Sequence, residues 1–182
     1  MKLKNQGKVF KMSLLALNLA LYIVLSFVSF NLQFTRISMT GIPVIFVSVI
    51  FGPLEGVFVG LVGEFIYQLM SYGLMPSTIL WLLPPVARAL IVGFMFKHKD
   101  VKQHPVLWAI TIILSCLAVT TINTISLLVT GYLVLETDSK LIFIALITRI
   151  GNSILSAVIF GIFTPFLFRP LINQGKIETT EN

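Results

Sequence analysis

The chain alternates between apolar runs and short polar segments. Residues 12–32, 54–70, 78–96, 106–134 and 141–168 are predominantly apolar, and a shorter apolar run covers 41–51. A run of about 20 apolar residues reads as a membrane-spanning helix. The separators are QFTRISMT at 33–40, a Gly52-Pro53 break, a polar turn at 71–77, KHKDVKQH at 97–104 and LETDSK at 135–140. Polar segments at 1–11 and 169–182 flank the whole. The open point in this pattern is 41–70, which fits one long helix or two helices broken at Gly-Pro.

Charge resolves it. The 1–11 segment holds Lys2, Lys4, Lys8 and Lys11, and the 97–104 loop holds Lys97, Lys99 and Lys102. Basic loops stay in the cytoplasm, so an even number of crossings must separate these two. Two helices in 41–70 give four crossings; one gives three. The expected fold is therefore all-α and integral to the membrane: a single six-transmembrane-helix bundle over 12–168, with both termini cytoplasmic. Cytoplasmic basic residues are then the seven lysines above with Arg169 and Lys176, against only Arg36 and Lys140 outside.

Composition supports this. The chain is 57% hydrophobic and 11% charged, with mean hydropathy +0.98, more apolar surface than a soluble domain of 182 residues can bury. The net charge of +6 then reflects cytoplasmic lysines and not a nucleic-acid partner. The lone Cys116 lies inside an apolar run, which excludes a disulfide framework or a cysteine metal cluster. The first run is long for a cleaved signal, with no small-x-small site after it. There is no G-x-x-x-x-G-K-[ST], H-E-x-x-H or G-x-S-x-G. His98 and His104 sit in a basic loop without acidic or cysteine neighbours. No clear two-fold repeat points to a self-sufficient transporter. The expectation is a non-enzyme without cofactors, whose energy source lies on another chain.

Three charges remain at membrane depth: Glu64, Arg88 and Arg149. Each costs about 2.5–3.5 kcal/mol near the bilayer centre, so each needs a partner or a wet cavity. Glu64, Tyr67 and Gln68 share one helix face by their spacing. Trp81 and Arg88 flank Pro84-Pro85, which frees backbone carbonyls in that helix. Asn123 lies in the fifth span, Arg149 and Asn152 in the sixth, Arg36 in the first outer loop and Tyr72 in the turn. With the topology above, these gather in the outer half of the bundle, as a pocket facing outside. The arginines outnumber Glu64, so the expected ligand is an anion, with aromatic surface to match Trp81, Tyr67 and Tyr72. Glu64 with Arg88 also fits a structural ion pair. Small-residue stripes, Ala16-x-x-x-Ala20 and Gly56-x-x-x-Gly60, suit close helix approach, within the chain or to another.

The stripe at Ala16 and Ala20, together with RISMTGIPVIFVSVIFGPLEGVFVGLVGEF at 36–65, resembles the substrate-binding S-components of energy-coupling factor (ECF) vitamin transporters, most closely the folate-specific branch. The resemblance implies a cell-membrane subunit that binds folate or a related vitamin from outside. Its partners would be a transmembrane coupling subunit, docked at Ala16 and Ala20, and two ATPases, the only users of ATP. Pantothenate or riboflavin are the alternative vitamins, and a small membrane enzyme the reading from another class. For folate, Glu64 would meet the pterin N–H edge, or else orient Arg88. Arg36 and Arg149 would hold carboxylates or ring carbonyls. Trp81, Tyr67 and Tyr72 would stack, and Gln68, Asn123 and Asn152 would complete the hydrogen bonds. The loops at 33–40 and 71–77 would act as lids.

Overall fold

The structure, a computed structural model, describes residues 2–3, 8–32, 35–37, 39–97, 105–130, 147–162 and 177–178. Among them are six helices: α1 (Lys8–Phe27), α2 (Gly41–Ile50), α3 (Pro53–Tyr72), α4 (Thr78–Met95), α5 (Pro105–Val129) and α6 (Ile147–Ile162). Four of these, α1, α3, α4 and α5, are long and apolar enough to cross a membrane. Two short antiparallel strand pairs complete the description: β1 (Lys2–Leu3) with β4 (Ile177–Glu178), and β2 (Phe30–Leu32) with β3 (Thr35–Ile37).

The first helix is displaced from its expected range of 12–32. It begins four residues earlier, where Lys11 forms an ion pair with Glu55 at the start of α3. It stops at Phe27, where serine hydroxyls compete for the last carbonyls: Ser26 Oγ donates to the Tyr22 carbonyl and Ser29 Oγ to the Ser26 carbonyl. The chain then turns into β2, and Asn31 stands opposite Arg36 in the ladder with β3.

The 41–70 stretch forms two helices, as expected, broken at Gly52-Pro53. Gly52 has φ +115°, a conformation that favours glycine, and Pro53 opens α3 at a position where its missing N–H costs nothing. The two helices differ sharply in length. With 10 residues, α2 spans about 15 Å, half the hydrocarbon core, so it does not cross a bilayer by its own length. It is instead enclosed, with Val44, Ile45, Val47, Val49 and Ile50 all buried, as an all-round apolar helix requires.

Around α2 the core forms two clusters. One joins Ile45, Val49, Val92, Phe96, Trp108, Ile112, Cys116 and Phe160, so α2, α4, α5 and α6 meet there. The other joins Tyr22, Val44, Val47, Val59 and Ala89, from α1 to α4. The Gly56-x-x-x-Gly60 stripe is spent inside the chain. A Cβ on Gly56 would meet the Ser48 hydroxyl and Ala89, and one on Gly60 would meet Pro85 at 3.1 Å, so α3 lies tightly on α4. By contrast Ala16 and Ala20 are exposed on α1, beside exposed Leu17, Leu21 and Val24.

Helix α4 runs unbroken through Pro84 and Pro85. Proline at 84 has no N–H for the carbonyl of Leu80 four residues back. Ser126 Oγ of α5 donates to that same carbonyl at 3.3 Å. The group freed by the proline is thus satisfied from the neighbouring helix.

Candidate functional site

Helix α3 brings Glu64 to the interior face, 8% exposed, where both carboxylate oxygens accept a hydrogen bond. Tyr22 Oη of α1 donates to Oε2 at 2.7 Å, and Gln68 Nε2, one turn along α3, donates to Oε1 at 2.8 Å. The helical spacing of Glu64 and Gln68 is what puts them together. Thr40, just before α2, hydrogen-bonds the same phenol. Gly63 leaves the space in which the Tyr22 ring rests against α3. Tyr67, on the same side of α3, is buried and meets Phe27 edge-on at 5.4 Å and Tyr72 at 6.2 Å.

Arg88 is 8% exposed and makes no ion pair with this carboxylate. Its guanidinium lies over the Phe160 ring, 4.9 Å from the centroid, and its Nη1 packs where a Cβ on residue 41 would be. Only glycine at 41 leaves that room. The Nε is buried without a hydrogen-bond partner, and no carboxylate pairs with Arg88 among the described residues. The expected alternative of a Glu64–Arg88 ion pair is therefore replaced by neutral donors on Glu64 and an aromatic face under Arg88.

Arg149 lies elsewhere. Eleven residues separate it from Phe160 on α6, about 16 Å along the axis, so the two buried arginines occupy different levels of the bundle. Arg149 is 7% exposed, its Nη1 donates to Thr124 Oγ1 at 3.4 Å, and its Nε is also buried and unpartnered. It lines a cleft of about 300 Å³ between α5 and α6. Thr120, Thr121, Thr124 and Ser153 line the same cleft, with Leu117, Ile125, Ile150 and Ile154 as its apolar walls.

The remaining predicted residues are less enclosed. Trp81, Asn123 and Asn152 are half-buried and Tyr72 is exposed. Arg36 is in β3, but its side chain, like the 97–104 loop beyond Lys97, lies outside the described residues. The structure thus gathers Glu64, Tyr67 and Gln68, and sets Arg88 and Arg149 at separate levels. Two residues that the pattern did not single out are Tyr22 and Phe160. Tyr22 had a signal: a buried phenol in an otherwise apolar helix needs a hydrogen-bond partner. Phe160 had none, being one of 15 phenylalanines.

Two solved structures share this fold. "Crystal structure of FolT bound with folic acid" aligns with TM-score 0.65 and 23% identity, over 88% of this chain and 93% of that one. "Structure and mechanism of the S component of a bacterial ECF transporter" aligns with TM-score 0.68 and 21% identity, over 92% and 98%. No curated protein matches the chain. A family model matches residues 6–171, nearly the whole sequence, and with it the missing ATP site and the polar residues inside an apolar bundle have a common reason: the chain belongs to the ECF-type riboflavin transporter S-component family, transport subunits and not enzymes.

Proposed function

We propose that this chain is the membrane-embedded subunit that binds folate for uptake and passes it to an ATP-driven coupling module. The carrying observation is Arg88, a buried guanidinium with an unpartnered Nε and no carboxylate partner among the described residues, while the buried carboxylate of Glu64 is already satisfied by neutral donors. An interior with that imbalance favours a ligand that brings its own anion. Folate supplies carboxylates and a flat heteroaromatic ring. The ring matches Tyr67, Tyr72 and Trp81, and the free lone pairs of Glu64 and the amide of Gln68 suit its N–H edge. Arg36, Asn123 and Asn152 complete the binding set in this reading.

The whole chain acts as one domain with both termini in the cytoplasm and the site open to the outside, and α2 completes a sixth crossing only together with the segment that precedes it. It rests on the positive-inside count. Ala16 and Ala20 are exposed together on α1 and form the docking stripe for a coupling subunit, whose associated ATPases alone use ATP.

Riboflavin is the second reading, favoured by the family's description. It carries no carboxylate and leaves Arg88 unmatched. Titration calorimetry of the purified chain, without nucleotide, separates the readings. Folate is expected to bind tightly, and riboflavin and pantothenate weakly. Heat with riboflavin or pantothenate and none with folate transfers the assignment. Arg88→Ala should weaken folate binding by about 2–5 kcal/mol, the range for truncating one side of a buried charged contact. Unchanged affinity would leave Arg88 a structural residue.

A further inference from the structure

We propose that Phe160 is a positioning residue for Arg88: its ring, with Gly41 beside it, fixes the guanidinium in place while leaving its donors unspent for the anion of a ligand. The inference rests on the folate reading above and adds what holds Arg88 ready for it.

Three helices meet at this guanidinium. Arg88 comes from α4, Phe160 from α6, and Gly41 opens α2. Arg88 is 8% exposed and Phe160 2%, so both lie inside the bundle. The guanidinium carbon is 4.9 Å from the centre of the Phe160 ring. A Cβ on residue 41 would collide with Arg88 Nη1 and would stand 2.6 and 2.7 Å from Cζ and Cε2 of Phe160. The edge of the ring and one end of the guanidinium thus close on the same point of α2. The absence of a side chain at Gly41 is what lets both reach it.

The kind of contact matters. A ring attracts a cation through its quadrupole and takes up no N–H in doing so. A carboxylate in the same place would engage two donors of the fork and cancel the charge. Two polar groups also lie within electrostatic reach of Arg88, Tyr22 and Cys116. The Tyr22 oxygen already donates to Glu64 and accepts from Thr40. A thiol such as Cys116 is a weak acceptor. The aromatic face is therefore the contact that steadies Arg88, and its Nε stays buried and unpartnered. Without the ring, a long side chain with many rotamers would have to be ordered by the ligand itself, at a cost in affinity.

Titration calorimetry of the purified full chain, with folate and with a pterin that lacks the carboxylate-bearing tail, tests this. Phe160→Leu removes the ring and keeps the place apolar. It should weaken folate about tenfold and leave the pterin as in wild type. Phe160→Tyr keeps the aromatic face and should bind folate as the wild type does. In the Arg88→Ala background, Phe160→Leu should cause no further loss of folate affinity. Unchanged folate affinity in Phe160→Leu overturns the proposal. So does an equal loss of folate and pterin, which a residue acting through packing alone would give, and so does a loss in Phe160→Tyr as large as in Phe160→Leu. If Arg88→Ala itself binds folate like the wild type, the folate reading falls and this inference with it. A loss from Arg88→Ala without one from Phe160→Leu overturns this inference alone. Thermal unfolding checks that each variant folds; should Phe160→Leu misfold, Phe160→Met, which fills the same space without a ring, takes its place.

Discussion

Glu64 and Arg88 lie on consecutive helices, but they solve the problem of a buried charge in different ways. Glu64 recruits two neutral donors, Tyr22 from α1 and Gln68 from its own helix. Arg88 rests on an aromatic face and keeps an unsatisfied N–H. A satisfied carboxylate holds its place without ligand, whereas an unsatisfied guanidinium has something to gain from one. Tyr22 is therefore a structural keystone for Glu64, linking α1 to α3. Tyr22→Phe should cost about 1–3 kcal/mol, because it leaves one buried carboxylate oxygen without its donor. The measurement is thermal unfolding in detergent. A midpoint equal to that of the wild type would mean that solvent or another group replaces the phenol.

At the scale of elements, the hydrophobic pattern carried much of the fold. The break at Gly52-Pro53 was legible because only that dipeptide interrupts an apolar stretch with both a left-handed residue and a helix-starting proline. The end of α1 was not, since Ser26 and Ser29 act through hydroxyl bonds to carbonyls that no hydropathy pattern records. The shortness of α2 was visible, but not that a helix half a bilayer long is held by complete burial. Of the site, the face of Glu64 and Gln68 followed from helical spacing alone. The separation of Arg88 from Arg149 did not, because it is fixed by which level of α6 each arginine meets.

Pro84 shows how an element can be repaired from outside. Its missing N–H leaves the Leu80 carbonyl to Ser126 of α5. Hydrogen bonds between membrane helices average about 0.6 kcal/mol, so Ser126→Ala should destabilise by roughly that amount. Restoring the helix's own donor with Pro84→Ala should make the serine dispensable. In a double-mutant cycle read by unfolding, the loss from Ser126→Ala is expected to shrink toward zero in the Pro84→Ala background. An equal loss in both backgrounds would show that the serine acts through packing and not through that carbonyl.

For the molecule as a whole, α1 is the helix with two distinct faces. Asn18, Tyr22 and Ser26 point inward, with Asn18 Nδ2 bonded to its own helix at the Leu14 carbonyl. Ala16 and Ala20 lie on the outward side, exposed, where nothing among the described residues uses their small size. The glycine stripe of α3 makes the contrast, since Gly56 and Gly60 are consumed by contacts with α2 and α4. A small-residue stripe that internal packing leaves free is suited to a second helix from another chain. Tyr22 and Glu64 belong to the opposite face, so a bulky residue on the stripe should not reach the proposed vitamin site. Ala16→Trp is accordingly expected to bind folate with wild-type affinity, measured by calorimetry on the isolated chain. In cells that also carry the coupling subunit and its ATPases, the same variant should take up folate at no more than background rate, because a large side chain holds the partner helix away. Ala20→Trp should behave alike, being one turn further along the same stripe. Uptake at the wild-type rate by both variants would remove this face as the docking surface. Loss of binding in the isolated chain would mean instead that the outer face of α1 is coupled to Glu64 through Tyr22.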